Sequence, residues 1–267
     1  MGCCESREVK SIQRSIKNNR TIEFLNVPLI SEAKMLQISH LREKGDTKAL
    51  EIVEYIDELN RANNWKNVKN DGWIKIQKID GSKYNPDYPV SKIWFHLEER
   101  LPLYMILDHL NSPIKRVSWD KNFKSYEIID GDIQNCYTLY YSLSLLGYKG
   151  DYIEKRIIGI HNHMVVVVYY SVDHELKPEI KQFSRGVIHI GFLTIEVVDG
   201  RTELCFYNQV DPNYKLSKLF AHIGVSKSDE WCKKFKNILI RSNAERKLIS
   251  EEYLEIQGWP IILGEKS

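Results

Sequence analysis

The segment most informative about the architecture, residues 113–156, is PIKRVSWDKNFKSYEIIDGDIQNCYTLYYSLSLLGYKGDYIEKR. Residues 123–129 and 133–143 within it are rich in aromatic and β-branched side chains, and Asp130-Gly131 between them is a turn signal. Successive side chains of a strand point to opposite faces, so the mostly apolar odd-numbered positions of residues 133–143 share one face. The segment therefore predicts two antiparallel strands joined by a short turn.

The strand pattern continues to residue 210. The further predicted strands are 152–160, 165–170, 186–198 and 202–210. Turns at His161-Asn162 and at Asp199-Gly200 separate the members of each pair. Because the gaps leave no room for crossover helices, a parallel sheet is excluded and an antiparallel meander is predicted.

Shorter elements precede this meander. A helix with apolar side chains at helical spacing begins at Thr47 and is expected to end near Asn63. Two strands follow at residues 73–79 and 92–97. A second helix opens at Leu101-Pro102, since proline is tolerated in a first turn, and ends before Pro113.

The last predicted element is an amphipathic helix from Tyr214 to about Arg241. One broad apolar face at 100° per residue carries Leu216, Leu219, Phe220, Ile223, Trp231, Phe235 and Ile238. Gly224 is a possible bend. With helices and antiparallel strands in this order, the predicted fold class is α+β.

The chain resembles the START family, the lipid-transfer domains related to steroidogenic acute regulatory protein. The resemblance rests on four matches in the family's order within residues 119–212. The matched residues are Trp119, Asp120, Phe123, Tyr126 and Glu127; Asp151, Tyr152, Ile153 and Arg156; Arg185, Gly186, Val187 and Ile188; and Asp211-Pro212. Each match is weak alone, and the ordered set is specific.

This resemblance implies a helix-grip fold, in which a curved antiparallel sheet wraps around a long C-terminal helix. It also implies a non-enzymatic container that holds one lipid in a hydrophobic tunnel between sheet and helix. The order of elements predicted from periodicity agrees with the helix-grip fold independently of the motifs. Fold alone does not fix function, so the residues are considered separately.

Arg156 stands out because its predicted strand face is otherwise largely apolar, and a buried guanidinium needs a partner. In START domains an arginine at this position points into the tunnel and pairs with an acid on the preceding strand. Here Tyr140 and Tyr141 lie near the expected place, so Glu154 or a lipid headgroup is expected to pair with Arg156. The alternative is an ion pair of Glu154 and Arg156 on the outer face.

Residues 144–150, SLLGYKG, lie where the family has the loop that covers the tunnel mouth. Leu145 and Leu146 on a glycine-flanked loop are costly to expose unless they pack on the closing helix or touch a membrane. The resemblance and this pattern together predict a gate, and the alternative is a loop that simply packs on the closing helix.

The N-terminus begins Met-Gly-Cys-Cys-Glu-Ser, which fits myristoylation of Gly2 with palmitoylation of Cys3 and Cys4. A single myristoyl chain binds membranes only marginally, so further acyl chains and the basic flank are expected to provide stable anchoring. The alternative is an ordinary basic N-terminus. The start lacks the apolar stretch of a secretory signal, so the predicted location is the cytoplasmic face of a membrane, peripheral and lipid-anchored, with a cytosolic pool.

The 267-residue chain has a formal net charge of +2, which is no footprint for nucleic acid. No sequence motif for phosphoryl or hydride transfer is found, and no cofactor or metal is expected. His161 and His163 fall at a predicted hairpin tip, where an exposed turn is favoured over a metal site. The predicted domains are an acylated tether at 1–45, a START-like domain at 46–241 and a tail at 242–267.

The sequence thus predicts a membrane-tethered protein that binds one lipid (a sterol, phospholipid or sphingolipid) for transfer or sensing. The predicted lipid-binding residues are Arg156, Glu154, Tyr140, Tyr141, Tyr152, Leu145, Leu146, Phe220, Ile223, Trp231 and Phe235. One alternative is a membrane-anchored interaction module whose cavity is filled by side chains. A second is an enzyme on a related scaffold such as an aromatase/cyclase, which needs converging acid and base groups that the sequence does not identify.

Overall fold

The computed structural model describes residues 46–133, 135–145, 147–161, 164–214 and 217–246. Gly2, Cys3, Cys4, Leu146 and the turn residues 162–163 lie outside them, so the predictions made for those residues are not addressed by the structure. The described residues form four helices: α1 (Thr47–Arg61), α2 (Leu103–Asn111), α3 (Pro113–Trp119) and α4 (Ser217–Arg246).

The strands form one ten-stranded sheet. They are β1 (Lys66–Asn70), β2 (Ile74–Ile79), β3 (Val90–Leu97), β4 (Phe123–Asp132), β5 (Cys136–Leu145), β6 (Tyr148–His161), β7 (Met164–Ser171), β8 (Ser184–Arg185), β9 (Val187–Val198) and β10 (Arg201–Asp211). The spatial order is β1-β2-β3-β10-β9-β7-β6-β5-β4, with antiparallel pairing along this path. The two-residue β8 pairs with β6 in parallel, a short exception to the antiparallel prediction.

The two faces of the sheet carry separate apolar clusters. The inner face, which packs against α2, α3 and α4, buries alternate side chains such as Val165 and Val167 of β7. The outer face buries the intervening Val166 and Val168 against the apolar stripe of α1. Because strand side chains alternate, the continuous valine run of β7 supplies both clusters.

Helix α4 closes the inner face. Among the side chains of α4 that the structure describes, the buried ones lie on one stripe, which consists of Val225, Cys232, Phe235, Leu239 and Asn243. The Phe235 ring packs between Trp119 of α3, with centroids 5.1 Å apart, and Trp231 of α4, at 5.2 Å. The expected curved antiparallel sheet with a long C-terminal helix is therefore confirmed.

Several boundaries differ from the prediction. Strand β1 was not predicted because it is polar and exposed. Helix α3 was not predicted because Pro113 resembles a helix stop, whereas it occupies the first turn of α3. The expected loop at 144–150 is mostly the ends of β5 and β6. Helix α4 continues through Gly224 without interruption and extends to Arg246. Among the described residues, no helix is long and apolar enough to cross a membrane.

Candidate functional site: an internal cavity with a buried polar wall

A cavity of about 250 Å³ lies between the inner face of the sheet and the helices α2, α3 and α4. Its apolar lining consists of Ile93, Leu110, Phe123, Val167, Ile188, Leu193, Phe206 and Val210. Its other lining residues are Asn111, Arg116, Tyr141, Glu154, Arg156, Tyr169, Asn208, Ser228 and Trp231. The cavity is therefore amphipathic, as sites for small apolar ligands with one polar group usually are.

The centre of the polar wall is the ion pair of Arg156 and Glu154. Positions two apart on β6 share a face, so both side chains point inward, and the Nε of Arg156 donates to the Oε1 of Glu154. The Oε2 of Glu154 accepts a hydrogen bond from the Tyr141 hydroxyl at 3.2 Å. Since the Glu154 side chain is 1% exposed, the outer-face alternative for this pair is wrong.

Two further groups hold the guanidinium of Arg156. Its Nη1 donates to the Oδ1 of Asn111 at 2.7 Å and lies 3.5 Å from the Tyr137 hydroxyl. In the register of β5 and β6, Tyr137 stands directly opposite Arg156. Burial disfavours the charged guanidinium, but the carboxylate of Glu154 together with Tyr126 and Tyr137 outweighs this effect and keeps the pKa of Arg156 well above its usual value.

A second ion pair joins Arg116 of α3 to Asp120 at the end of that helix. The Nη2 of Arg116 donates to the Oδ2 of Asp120 at 3.0 Å, and the same oxygen accepts from the Nε1 of Trp231 at 3.0 Å. The guanidinium also lies 4.6 Å from the ring centroid of Phe123, within cation–π range. Helix α4 is thereby connected to the polar wall through Trp231.

Two donors of this wall have no acceptor among the described residues. They are the Nδ2 of Asn111 and the Nε of Arg116, both buried. Buried polar atoms are paired in nearly all proteins, so an unpaired donor in a cavity wall requires an explanation. Both residues line the cavity, and a bound molecule with an acceptor oxygen would satisfy them.

The predicted lipid-binding residues take three kinds of position. Arg156, Glu154, Tyr141 and Trp231 line the cavity. Tyr152 and Phe235 are buried behind it: the Tyr152 ring stacks on Tyr141 with centroids 5.1 Å apart, and Phe235 packs within the α3–α4 contact. The side chains of Leu145, Leu146, Phe220 and Ile223 lie outside the described set.

Tyr140 is not a lining residue. It neighbours Tyr141 on β5, so its ring points to the opposite face of the sheet, where the Nζ of Lys177 lies 4.6 Å from the ring centroid. The sequence prediction placed Tyr140 and Tyr141 opposite Arg156. The register instead pairs Tyr137 with Arg156 and Tyr141 with Tyr152.

Sequence reasoning missed Arg116 and Asn111. Arg116 and Asp120 are four residues apart, a spacing that brings oppositely charged side chains together at a helix end. That signal was present in the segment 113–120, but the helix itself was not predicted. Asn111 carried no comparable signal, because asparagine at a helix end is common in turns.

The cavity wall is suited to hold a ligand by hydrogen bonds. Burial raises the pKa of Tyr141 in the wall and of Tyr137 behind it, so both hydroxyls stay neutral. Among the described residues, no group of three or more His, Cys, Asp or Glu side chains is placed to hold a metal ion.

Comparisons with known proteins identify a family and a shared fold. The family model described as START domain matches residues 49–227. The fold is similar to that of human STARD10, with a TM-score of 0.65, 16% identity, and coverage of 89% of this chain and 91% of that chain. It is also similar to human StAR-related lipid transfer protein 5, with a TM-score of 0.66, 15% identity, and coverage of 76% of this chain and 99% of that chain. No curated protein sequence gives a significant match.

Proposed function

The chain belongs to the START domain family, and from that premise we propose that it binds a single lipid in the internal cavity, for transfer or for sensing. START domains are generally lipid-binding and lipid-transfer domains. The apolar body of the lipid would contact the wall of the cavity, and burial of apolar surface would supply most of the binding free energy, roughly 25 cal/mol per Å². The polar group of the lipid would lie beside Arg116 and Arg156.

One observation carries this proposal: the cavity is apolar over most of its wall and ends in two buried arginine–carboxylate pairs with unpaired donors. Buried ion pairs are often no more stabilising than apolar packing, so they are weak candidates for a purely structural role. A lipid headgroup that accepts hydrogen bonds from the unpaired donors of Asn111 and Arg116 would give both pairs a role in ligand binding.

The filled-cavity alternative has some support from the aromatic side chains. Tyr126, Tyr141 and Tyr152 form a stack, with the first two centroids 6.0 Å apart. The remaining cavity of about 250 Å³ is slightly smaller than the roughly 300–1,000 Å³ usual for drug-sized ligands. A lipid larger than this space requires the walls to move apart, which is expected to involve α4.

Attachment to the membrane is a second part of the proposal. The sequence Met1 to Ser6 fits acylation at Gly2, Cys3 and Cys4, and the basic residues that follow would attract an anionic cytoplasmic leaflet. A tethered container would exchange lipid with the nearby membrane over short distances. We propose residence at the cytoplasmic face with a cytosolic pool.

Native mass spectrometry of gently purified protein tests lipid binding. We expect one lipid per chain, released when the protein is denatured. Protein that carries no lipid and takes none from vesicles of mixed sterol, phospholipid and sphingolipid would favour the filled-cavity alternative.

Membrane fractionation tests the tether. Replacing Gly2→Ala prevents myristoylation, and without the first acyl chain we expect the protein to move to the soluble fraction. The double replacement Cys3→Ser/Cys4→Ser is expected to leave weak, salt-sensitive binding. A Gly2→Ala protein that remains wholly in the membrane fraction contradicts the tether.

A further inference from the structure

Asn111, the last residue of α2, lines the cavity and has a buried side-chain donor without a partner among the described residues. The residue is 2% exposed and lines the cavity. Its Oδ1 accepts a hydrogen bond from the Nη1 of Arg156 at 2.7 Å. Because a guanidinium can only donate, the amide oxygen must face Arg156, and the Nδ2 group is the one left to donate to another acceptor.

The Nδ2 of Asn111 finds no acceptor among the described residues. A buried donor without a partner destabilises the folded protein, and an acceptor oxygen in the cavity removes that penalty. We infer that Asn111 is a specificity-determining residue, which selects lipids that present an uncharged acceptor oxygen (a carbonyl, ester or hydroxyl group) beside Arg156. The inference rests on the proposed function, since it names the chemical class of the lipid held by that cavity.

The charges around the cavity favour an uncharged polar group. Arg156 is paired with Glu154, and Arg116 is paired with Asp120, so these four charges cancel. The described lining residues include no cation besides Arg116 and Arg156, so a phosphate or carboxylate on the ligand would add an uncompensated buried negative charge, which is unfavourable. A neutral oxygen takes the hydrogen bond from Asn111 without disturbing either pair.

The substitution Asn111→Asp tests this assignment with almost no change of shape. It keeps an oxygen for Arg156 and replaces the Nδ2 donor by a second acceptor. Wild-type and variant proteins are purified in full length from identical cells, and the lipid bound per chain is identified and counted by mass spectrometry. Asn67→Asp serves as the matched control, because it makes the same amide-to-carboxylate change at an exposed position of β1 that does not line the cavity.

We expect the wild type and Asn67→Asp to carry an uncharged, oxygen-bearing lipid, and Asn111→Asp to carry about tenfold less of it. Thermal unfolding verifies that each variant is folded; if Asn111→Asp does not fold, Asn111→Leu is judged by the same criterion. An anionic lipid in the wild type, or the same lipid at the same level in the folded Asn111 variant, overturns the inference. A wild type with no lipid refutes the proposed function instead, and the inference with it.

Discussion

Glu154 and Arg156 lie two positions apart on β6, and their ion pair is buried beside the cavity. Removing one member of a buried pair leaves the other charge without compensation. Glu154 would then keep only the hydrogen bond from Tyr141. Substituting one member or both members of the pair can therefore separate its contribution to stability from its contribution to ligand binding.

For Arg156→Met we expect a loss of about 3–5 kcal/mol in the free energy of unfolding, because Glu154 stays buried without its cation. The double variant Glu154→Gln/Arg156→Met should recover most of that loss, since no unpaired charge remains, but it should not recover lipid binding. Urea unfolding combined with measurement of bound lipid checks both statements. Normal lipid binding by the double variant would show that the pair is structural only.

Asp46 connects the start of α1 to the outer face of the sheet. Its carboxylate accepts hydrogen bonds from the backbone N–H of Ala49 at 3.0 Å, from Lys155 at 2.7 Å and from the Tyr170 hydroxyl at 2.7 Å. Burial alone would raise the pKa of Asp46, but these hydrogen bonds outweigh it and lower the pKa.

This lowered pKa predicts a pH dependence. A carboxyl group whose pKa is lower in the folded state contributes stability that is present above its unfolded pKa, about 3.9, and lost as pH falls through the folded value. Asp46→Asn retains a good helix N-cap but not the charge, so it should cost about 1 kcal/mol at neutral pH. The difference from wild type should shrink as the pH falls below the unfolded pKa. Chemical unfolding at pH 7 and at pH 3 tests this, and a difference at pH 3 as large as that at pH 7 contradicts it.

The residues of the site were only partly predictable. The inward Arg156 and its partner Glu154 followed from the apolar pattern of one strand. The residue opposite Arg156 on β5 could not be predicted. The pairing of β4 with β5 contains register irregularities, and the pairing of β5 with β6 is set by their hairpin. A shift in register changes which tyrosine faces the arginine, as Tyr137 does here.

At the level of elements, α4 is anchored around Phe235. Phe235 is fully buried between Trp119 and Trp231, and its ring lies edge-on to Phe95 of β3 with centroids 6.4 Å apart. These contacts join α4 to α3 and to the sheet. The helix was predicted because its apolar stripe extends over many turns, whereas α3 is too short for its period to be recognised.

Phe235→Ala should lower the free energy of unfolding by about 3–5 kcal/mol, because it leaves a cavity in this aromatic cluster. Ile240→Ala is the matched control on the same helix, since Ile240 is 40% exposed, and should cost less than about 1 kcal/mol. Urea unfolding of both variants checks the prediction. Equal effects would mean that α4 is not anchored through Phe235.

At the level of the whole molecule, one sheet separates two apolar regions. The inner region contains the cavity, and the outer region contains a groove of about 360 Å³ beside α1 that is bordered by Val166. The separation was predictable from strand alternation. The volume of the cavity was not, because it depends on how far α4 stands from the sheet.

The central claim is that lipid occupies the inner cavity, and adjacent valines of β7 test it most directly. Val167→Phe adds volume inside the cavity, whereas Val166→Phe adds the same volume on the outer face beside the groove. The measurement is the amount of lipid bound per folded chain, determined by mass spectrometry after purification from identical cells. We predict that Val167→Phe carries at least about tenfold less lipid than wild type, a loss of 1.4 kcal/mol or more in binding, while Val166→Phe carries the normal amount. Normal lipid content in Val167→Phe, or an equal loss in Val166→Phe, would contradict the claim.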